Sequence, residues 1–562
     1  MQVIKNIFLK GSRACIVGLA VQCAAGVALS ADSPNAIDPQ RMSDIVRTLA
    51  SDEFEGRAPG TAGEKKTIDF LTQRFRALGL EPAGENGGWT QSVPLVRTLV
   101  GTPRAVSVSV DGKTKDLQLT KEIYLSSLRN ANHVALTNLP MVFVGYGVSA
   151  PERQWDDFKN VDLRGKVLVC LVNDPDFSAA AGEPVAGKFG GRRMTYYGRW
   201  AYKYEEAVRR GASAALIIHD TDGAGYGWST VIAPGGENYD LASRRADERL
   251  ELQGWLEGAA ATELFNSAGL DLAALRVQAR RVDFKPIEIP GVRFTADLPV
   301  TATQAQSYNV LAKITGSEHP DEAIMFAAHW DAYGVGAPDS QGKTIRHGAA
   351  DDAIGIAGVL ELARVFKAGK KPKRTLVFGA WTAEERGLIG SQAYAAKPLF
   401  SISKTVANFT LDILQTAGPA RDVLLVGPGQ TSLEDDLARA AKAQGRVVTP
   451  ESLPERGLFY RADHFPLAQK GVPVLLLMSI SGPTDLVSGG REAGNKWLTD
   501  YMRCYHQPCD DWSSAWDLRG AASDVELIHT IGADLASSRR WPEWRKESEF
   551  SAIRAESQAQ RR

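Results

Sequence analysis

The sequence predicts an α/β protein with a mostly parallel central sheet, helices on both of its faces, and a small β-rich unit inserted into the larger domain. Three observations carry this prediction. Beyond about residue 300, apolar runs of strand length alternate with amphipathic stretches of helix length. Between about 130 and 285 the runs are shorter and are broken by Gly, Pro and Asp. The chain has 562 residues, enough for a peripheral module beside one large domain. With 65 Lys and Arg against 66 Asp and Glu there is no basic field for a nucleic acid, so that class of partner is excluded.

In chain order, Lys5, Lys10 and Arg13 precede the apolar run from Cys15 to Leu29, with small residues at Ala28, Ser30 and Ala31. This reads as an export signal over residues 1–30, and the mature protein is expected in the periplasm or secreted. No later apolar run reaches the ~20 residues of a membrane span. Residues 31–129 read as the amino-terminal part of the main domain. In it the turn-rich Ser51 to Gly60 leads to Ile68, Leu71, Phe75 and Leu78 at helical spacing, with Gly79 as the stop. Residues 130–285 form the inserted unit, with strands at Met141 to Val144 and Val167 to Val172, and a helix near Tyr204 to Val208 that passes through Gly211 into the strand Ala214 to Ile218. Residues 286–542 carry the main domain. Its strands fall at Ala323 to Ala328, Thr375 to Ala380, Val406 to Leu411 and Val472 to Met478, and its helices include Gly355 to Phe366 and Leu433 to Ala443. Residues 543–562 are polar and read as a solvated helix or a frayed tail.

Acidic and imidazole side chains gather where these strands end. His329-Trp-Asp331 closes the first strand, Glu384-Glu385 follows the second, Asp412 ends the third, and Asp351-Asp352 precedes a helix. In open α/β sheets the carboxyl edge is where loops converge and ligands bind. His329, Asp351, Glu385, Asp412 and a second imidazole, His506, make a mixed nitrogen and oxygen set suited to zinc. Five ligands exceed what one tetrahedral ion with an open position needs, and with a bridging carboxylate they suit two metals about 3.5–4 Å apart. Taken singly, each has a plainer reading, as a helix cap at Asp351-Asp352 or a solvated pair at Glu384-Glu385. Their order and shared edge carry the metal reading. Cys504 and Cys509 bracket His506 and predict a local disulfide in an oxidising compartment, two surface thiols being the other reading.

These stretches resemble the exported zinc aminopeptidases of the aminopeptidase Y and glutamate carboxypeptidase type, a family that also includes the non-catalytic transferrin receptor. The matching segments are Ala327-Ala-His-Trp-Asp331, Gly348-Ala-Ala-Asp-Asp-Ala-Ile-Gly355, Phe378 to Ser391, Asn408 to Asp412 and Tyr505-His-Gln-Pro508. Asp52-Glu-Phe-Glu-Gly56 through Leu80 is similar to the family's opening, and 130–285 resembles its protease-associated insert. The resemblance implies a zinc-exopeptidase sandwich and two zinc ions bridged by Asp351. His329 and Asp412 would complete one ion, Glu385 and His506 the other. Glu384 would be the general base, Asp331 would orient His329, and Tyr505 would donate to the oxyanion, with Tyr460 the weaker alternative. Asp352 and Ile354 stand where the family often has Asn and Ser, and Ala332 where a second His often stands, which bears on the shape of the pocket. Asp463-His464 resembles a supporting feature near the site, and His347 reads as a surface loop residue.

The expected activity is therefore removal of residues from peptides with a free amino terminus. Carboxypeptidase action on acidic peptides, glutaminyl cyclisation with one zinc, and a non-catalytic binding ectodomain are the alternatives. A carboxypeptidase would need basic groups in the cleft, for which Arg192, Arg193 and Arg199 are candidates that sequence alone does not place. The ligand types would also accept manganese or cobalt.

Overall fold

The computed structural model describes residues 36–561, and the expected export signal lies outside them. The central sheet runs in the order Val474–Leu477, Thr405–Leu411, His319–His329, Arg374–Trp381, Ile287–Ile314. The first three neighbour pairs are parallel and the last is antiparallel. Every residue of Arg374–Trp381 and of Thr405–Leu411 is buried, the signature of a strand covered on both faces, which is why these segments read as continuous apolar runs. Strand alternation splits them between two cores. Ile324, Phe326 and Ala328 face the helices Pro39–Leu49, Ile354–Ala368 and Arg519–Ser537, while Ala323, Met325 and Ala327 face Tyr394 and Leu467 on the other side. Phe326 stacks on Phe378 and Phe409 at 5.6 and 5.4 Å, tying three adjacent strands together at about 0.5–1.5 kcal/mol per pair.

The strand Ile287–Ile314 is 28 residues long and belongs to two sheets. Its later part pairs with Thr90–Val100 and with Arg374–Trp381, and its earlier part with His133–Phe143 and Ala105–Val110. From there a second set of strands continues through Val167–Leu171, Ala214–Ile218, Leu252–Leu256 and Ile123–Ser126. These strands share a core that draws on residues from Val106 to Val300, so the unit begins before residue 130 and runs past 285. The helix Trp200–Arg209 packs along it and ends in the left-handed Gly211.

Residues 543–561 do not lie free. Trp544 and Phe550 are buried in a core shared with Ala350, Ile413 and Tyr505, Trp544 donates its indole N–H to the Gly471 carbonyl at 2.9 Å, and Arg554 donates to the Thr405 carbonyl at 3.0 Å. The charged composition hides two aromatic anchors that outweigh it. Among the described residues no helix is long and apolar enough to cross a membrane.

Candidate metal centre

Four consecutive features of the sheet deliver the site. His329 is the last residue of its strand, Asp412 directly follows Thr405–Leu411, and Glu384-Glu385 lies in the turn after Arg374–Trp381. Asp351-Asp352, joined by a cis peptide, occupies the turn that opens the helix Ile354–Ala368. His506 arrives from elsewhere. It follows the helix Gly490–Cys504, inside a loop closed by the disulfide between Cys504 and Cys509.

The ligand atoms fall into two sets that share one carboxylate: His329, Asp351 and Asp412, and Asp351, Glu385 and His506, each with its atoms within 4.8 Å of one another. Asp351 faces both imidazoles, with Oδ1 3.1 Å from His329 Nε2 and Oδ2 3.3 Å from His506 Nε2. Glu385 lies 3.0 Å from His506 Nε2, and Glu384 reaches to 3.9 Å from His329 Nε2. The donor set fits zinc. Imidazole nitrogens and carboxylate oxygens are its usual ligands, and Asp412 Oδ1 is buried with no hydrogen-bond partner among the described residues, an acceptor that a cation would satisfy.

The electrostatics of the cluster agree with that demand. Burial drives Asp352, Asp412 and Glu384 well above the ordinary carboxylate range, and neighbouring carboxylates add to it. Burial would lower His329 and His506, yet the surrounding carboxylates override it and raise both, His506 to about 9. Asp351 is likewise pushed up by burial, but the two imidazoles more than offset this and hold it below its usual range. A crowd of buried acids this dense retains protons unless a cation replaces them.

A second layer holds the ligands in place. Asp352 points away from the cluster, and its carboxylate accepts backbone N–H groups from His329, Gly355 and Ile413 at 3.2, 3.0 and 3.3 Å. It thus ties the strand end, the helix start and the loop after Asp412 together. A side chain at residue 355 would meet that carboxylate at 2.4 Å, which accounts for Gly355. Asp510, next to Cys509, accepts the N–H groups of Ala350 and Asp351 at 2.9 and 3.1 Å. Arg57 is fully buried and donates to the carbonyls of Leu49, Trp330, His347 and Gly348. Tyr333 packs its ring 4.6 Å from that of His506 and donates its hydroxyl to the Glu385 carbonyl at 3.3 Å. Sequence reading missed Asp510, Arg57 and Tyr333. Adjacency to the cysteine pair, and inclusion in the stretch from Asp52 through Leu80 that resembles the family's opening, were the signals available for the first two.

Several expectations change. The Asp331 carboxylate stands 3.7 Å from His329 Nδ1, too far for a hydrogen bond, and the ring nitrogen instead lies 3.1 Å from the Asp331 carbonyl oxygen. Asp331 Oδ1 accepts the N–H of Glu384 at 3.0 Å, so the carboxylate positions Glu384 and the main chain positions His329. Tyr505 stacks on His506 with ring centroids 3.7 Å apart, and its hydroxyl accepts from Arg461 at 3.1 Å. Tyr460 gives its hydroxyl proton to Glu549 at 3.0 Å, which removes it as a donor to the cleft. His464 is buried against Phe459 outside both ligand sets, and burial lowers it to about 3. His347 is buried rather than on a surface loop, and pairs with Asp52 at 2.8 Å.

Residues 309–527 match the model of peptidase family M28. Leupeptin-inactivating enzyme 1 of Streptomyces exfoliatus is 29% identical over 258 residues, 45% of this chain and 55% of that protein. Carboxypeptidase Q of Rattus norvegicus is 37% identical over 105 residues, 18% of this chain and 20% of that protein. The chain therefore spans about half or less of the length of these curated relatives. An aminopeptidase from Aneurinibacillus sp. strain AM-1 shares the fold, with a TM-score of 0.52 and 19% identity over 90% of this chain and 95% of that one. Residues 309–527, the stretch that matches the peptidase family M28 model, carry every member of the cluster.

Proposed function

We propose that this protein is an exported exopeptidase that holds two zinc ions and removes residues from the free amino terminus of peptides. The observation that carries the reading is the pair of three-residue ligand sets sharing Asp351, with Glu384 beside them at the end of a cleft. Zinc bound there would act as a Lewis acid on the scissile carbonyl and lower the pKa of the attacking water. The rest of the chemistry falls to the chain. Glu384 takes the proton of the attacking water on its carboxylate and returns it to the departing amine, which leaves as the peptide C–N bond breaks. Asp331 keeps that carboxylate aimed by fixing the Glu384 N–H. Tyr505, whose hydroxyl already accepts from Arg461, has its own proton free to donate toward the developing oxyanion. The amino-terminal direction is supported by the motif resemblance and by the aminopeptidase that shares the fold. Release of a carboxyl-terminal residue is the second reading, favoured by the arginines in the cleft and by the relative named carboxypeptidase Q.

Incubating the zinc-loaded protein with free and amino-blocked peptides, and weighing the products by mass spectrometry, tests this. Stepwise loss from free amino termini alone is expected, while loss from the carboxyl end would overturn the direction. Glu384→Gln should keep its zinc and lose about 10²–10⁴ in kcat. Normal turnover in that variant would rule out Glu384 as the base.

A further inference from the structure

Between Ala214–Ile218 and Leu252–Leu256 the chain leaves the second set of strands and adds a strand to the main sheet. This strand, Glu237–Leu241, pairs antiparallel with Thr90–Val100, whose other neighbour is Ile287–Ile314. The excursion lies against the turn that carries Glu384 and Glu385. Tyr239 shares a buried cluster with Ala383 and Ile389, one at each end of that turn, and its hydroxyl donates to the Pro59 carbonyl at 3.1 Å. Glu237 meets Arg386, the residue directly after the ligand Glu385. The Arg386 side chain is only 2% exposed; its guanidinium donates to Glu237 Oε2 at 3.0 Å and to the Glu237 carbonyl at 3.4 Å. Glu237 Oε1 accepts from Arg97 at 2.6 Å, so one carboxylate joins an arginine of the sheet to an arginine of the turn. The Arg386 guanidinium also lies 4.4 Å over the Tyr333 ring, the same ring that packs on His506 and whose hydroxyl donates to the Glu385 carbonyl.

The turn is one that has to be held. Ala383 and Leu388 sit in the left-handed region at φ 52° and 61°, which L-residues keep only where surrounding contacts over-determine it. Within the turn, Gly387 and Leu388 donate their N–H groups to the Glu384 carbonyl at 2.8 and 2.9 Å. Asp331 holds the Glu384 N–H, and Gln392 donates to the Gly387 carbonyl at 2.7 Å. The grip of Glu237 on Arg386 is a buried charge-assisted contact, the strongest kind of these, and taking away its carboxylate charge would leave a buried guanidinium uncompensated. We propose that Glu237 is a positioning residue for the reaction. Through Arg386 it clamps the turn, and so aims Glu384 and seats Glu385. The role rests on the peptidase reading above and deepens it, because it makes a strand from the inserted stretch of sequence part of the machinery that places the base.

The test compares hydrolysis of leucyl-alanine by the zinc-loaded full chain and its variants. Glu237→Gln, which keeps the shape of the side chain, should lower kcat about 10- to 100-fold and leave KM within about threefold, the pattern of a misplaced base rather than a lost substrate contact. Arg97→Gln loosens the same carboxylate without touching the turn, and its kcat should stay within about threefold of the parent. Arg386→Gln, alone or combined with Glu237→Gln, should be no more impaired than Glu237→Gln, since a single contact is lost in each. Normal kcat in Glu237→Gln, an equal loss in Arg97→Gln, or losses that multiply in the double variant would overturn the proposal. The clamp can also be read without turnover, by amide hydrogen exchange. The N–H groups of Glu384, Gly387 and Leu388 should exchange about 10-fold faster in Glu237→Gln, while those of Ala350 and Asp351, held by Asp510, should change by less than about threefold. Unchanged exchange in the turn would refute the clamp whichever bond the protein cuts. Faster exchange there, in a protein whose parent hydrolyses no peptide, would uphold the clamp and sink the peptidase reading instead.

Discussion

Replacing Cys504 and Cys509 together with serine should loosen one set of metal ligands and spare the other. The disulfide spans a sequence separation of five and encloses His506, whose backbone sits in the left-handed region at φ 62°. An L-residue held there costs roughly 1–2 kcal/mol, and closing so short a ring removes about 2 kcal/mol of chain entropy from the open loop. Together these make about 3 kcal/mol of preorganisation at His506, part of which survives through Asp510 and its grip on Ala350 and Asp351. An ion bound by Asp351, Glu385 and His506, as proposed, should then be held about 10- to 100-fold more weakly. Binding of a proposed ion by His329, Asp351 and Asp412, which lie at strand ends and a helix start, should change by less than about threefold. Titrating zinc into the variant and the unmodified protein against a chromophoric chelator resolves the two affinities. Equal weakening of both sites, or of neither, would show that the ring does not set the position of His506.

Two further substitutions probe the supports. Asp352→Ala removes the acceptor of three buried N–H groups at about 1–3 kcal/mol each. Relief of a buried carboxylate opposes this, so a net loss of roughly 2 kcal/mol or more is expected in denaturant unfolding, and a variant as stable as the parent would remove Asp352 as a brace. Glu64 is buried, and this pushes its carboxyl from an ordinary 4.5 up to about 7, against hydrogen bonds from Gly60 and Ser307. Because the folded value is the higher, the contribution of Glu64 to stability is complete below about pH 4.5 and is lost as the pH rises through about 7. Glu64→Gln should flatten the unfolding free energy over that window by roughly 3 kcal/mol; parallel profiles for the two proteins would contradict it.

The central strands were legible because burial on both faces leaves an unbroken apolar run, and His329 and Asp412 were legible because each marks where such a run stops. Glu385 and His506 joined the ligand set through donor type and the shared edge, whereas the role of Glu384 as base needed the resemblance, since nothing local distinguishes a base from a solvated charge. The partner of Asp331 was not legible. Its choice between the His329 ring and the Glu384 N–H depends on how two strand ends approach, which spacing does not encode. Asp352 looked like an altered pocket residue and is a brace, because its side chain turns inward to three backbone donors from separate elements. The docking of the carboxyl-terminal segment was masked by composition, as Trp544 and Phe550 are two anchors among many charges. Arg199 lines the cleft because the inserted unit contributes to its walls, which spacing along the chain does not encode.

The strand Ile287–Ile314 makes the cleft a notch in one beam rather than a gap between hinged jaws. Widening it would mean breaking ladder bonds to Thr90–Val100 on one side and His133–Phe143 on the other. Traffic into the site therefore passes through a mouth of set width. The one long strand thus keeps the two walls of the cleft in a fixed register.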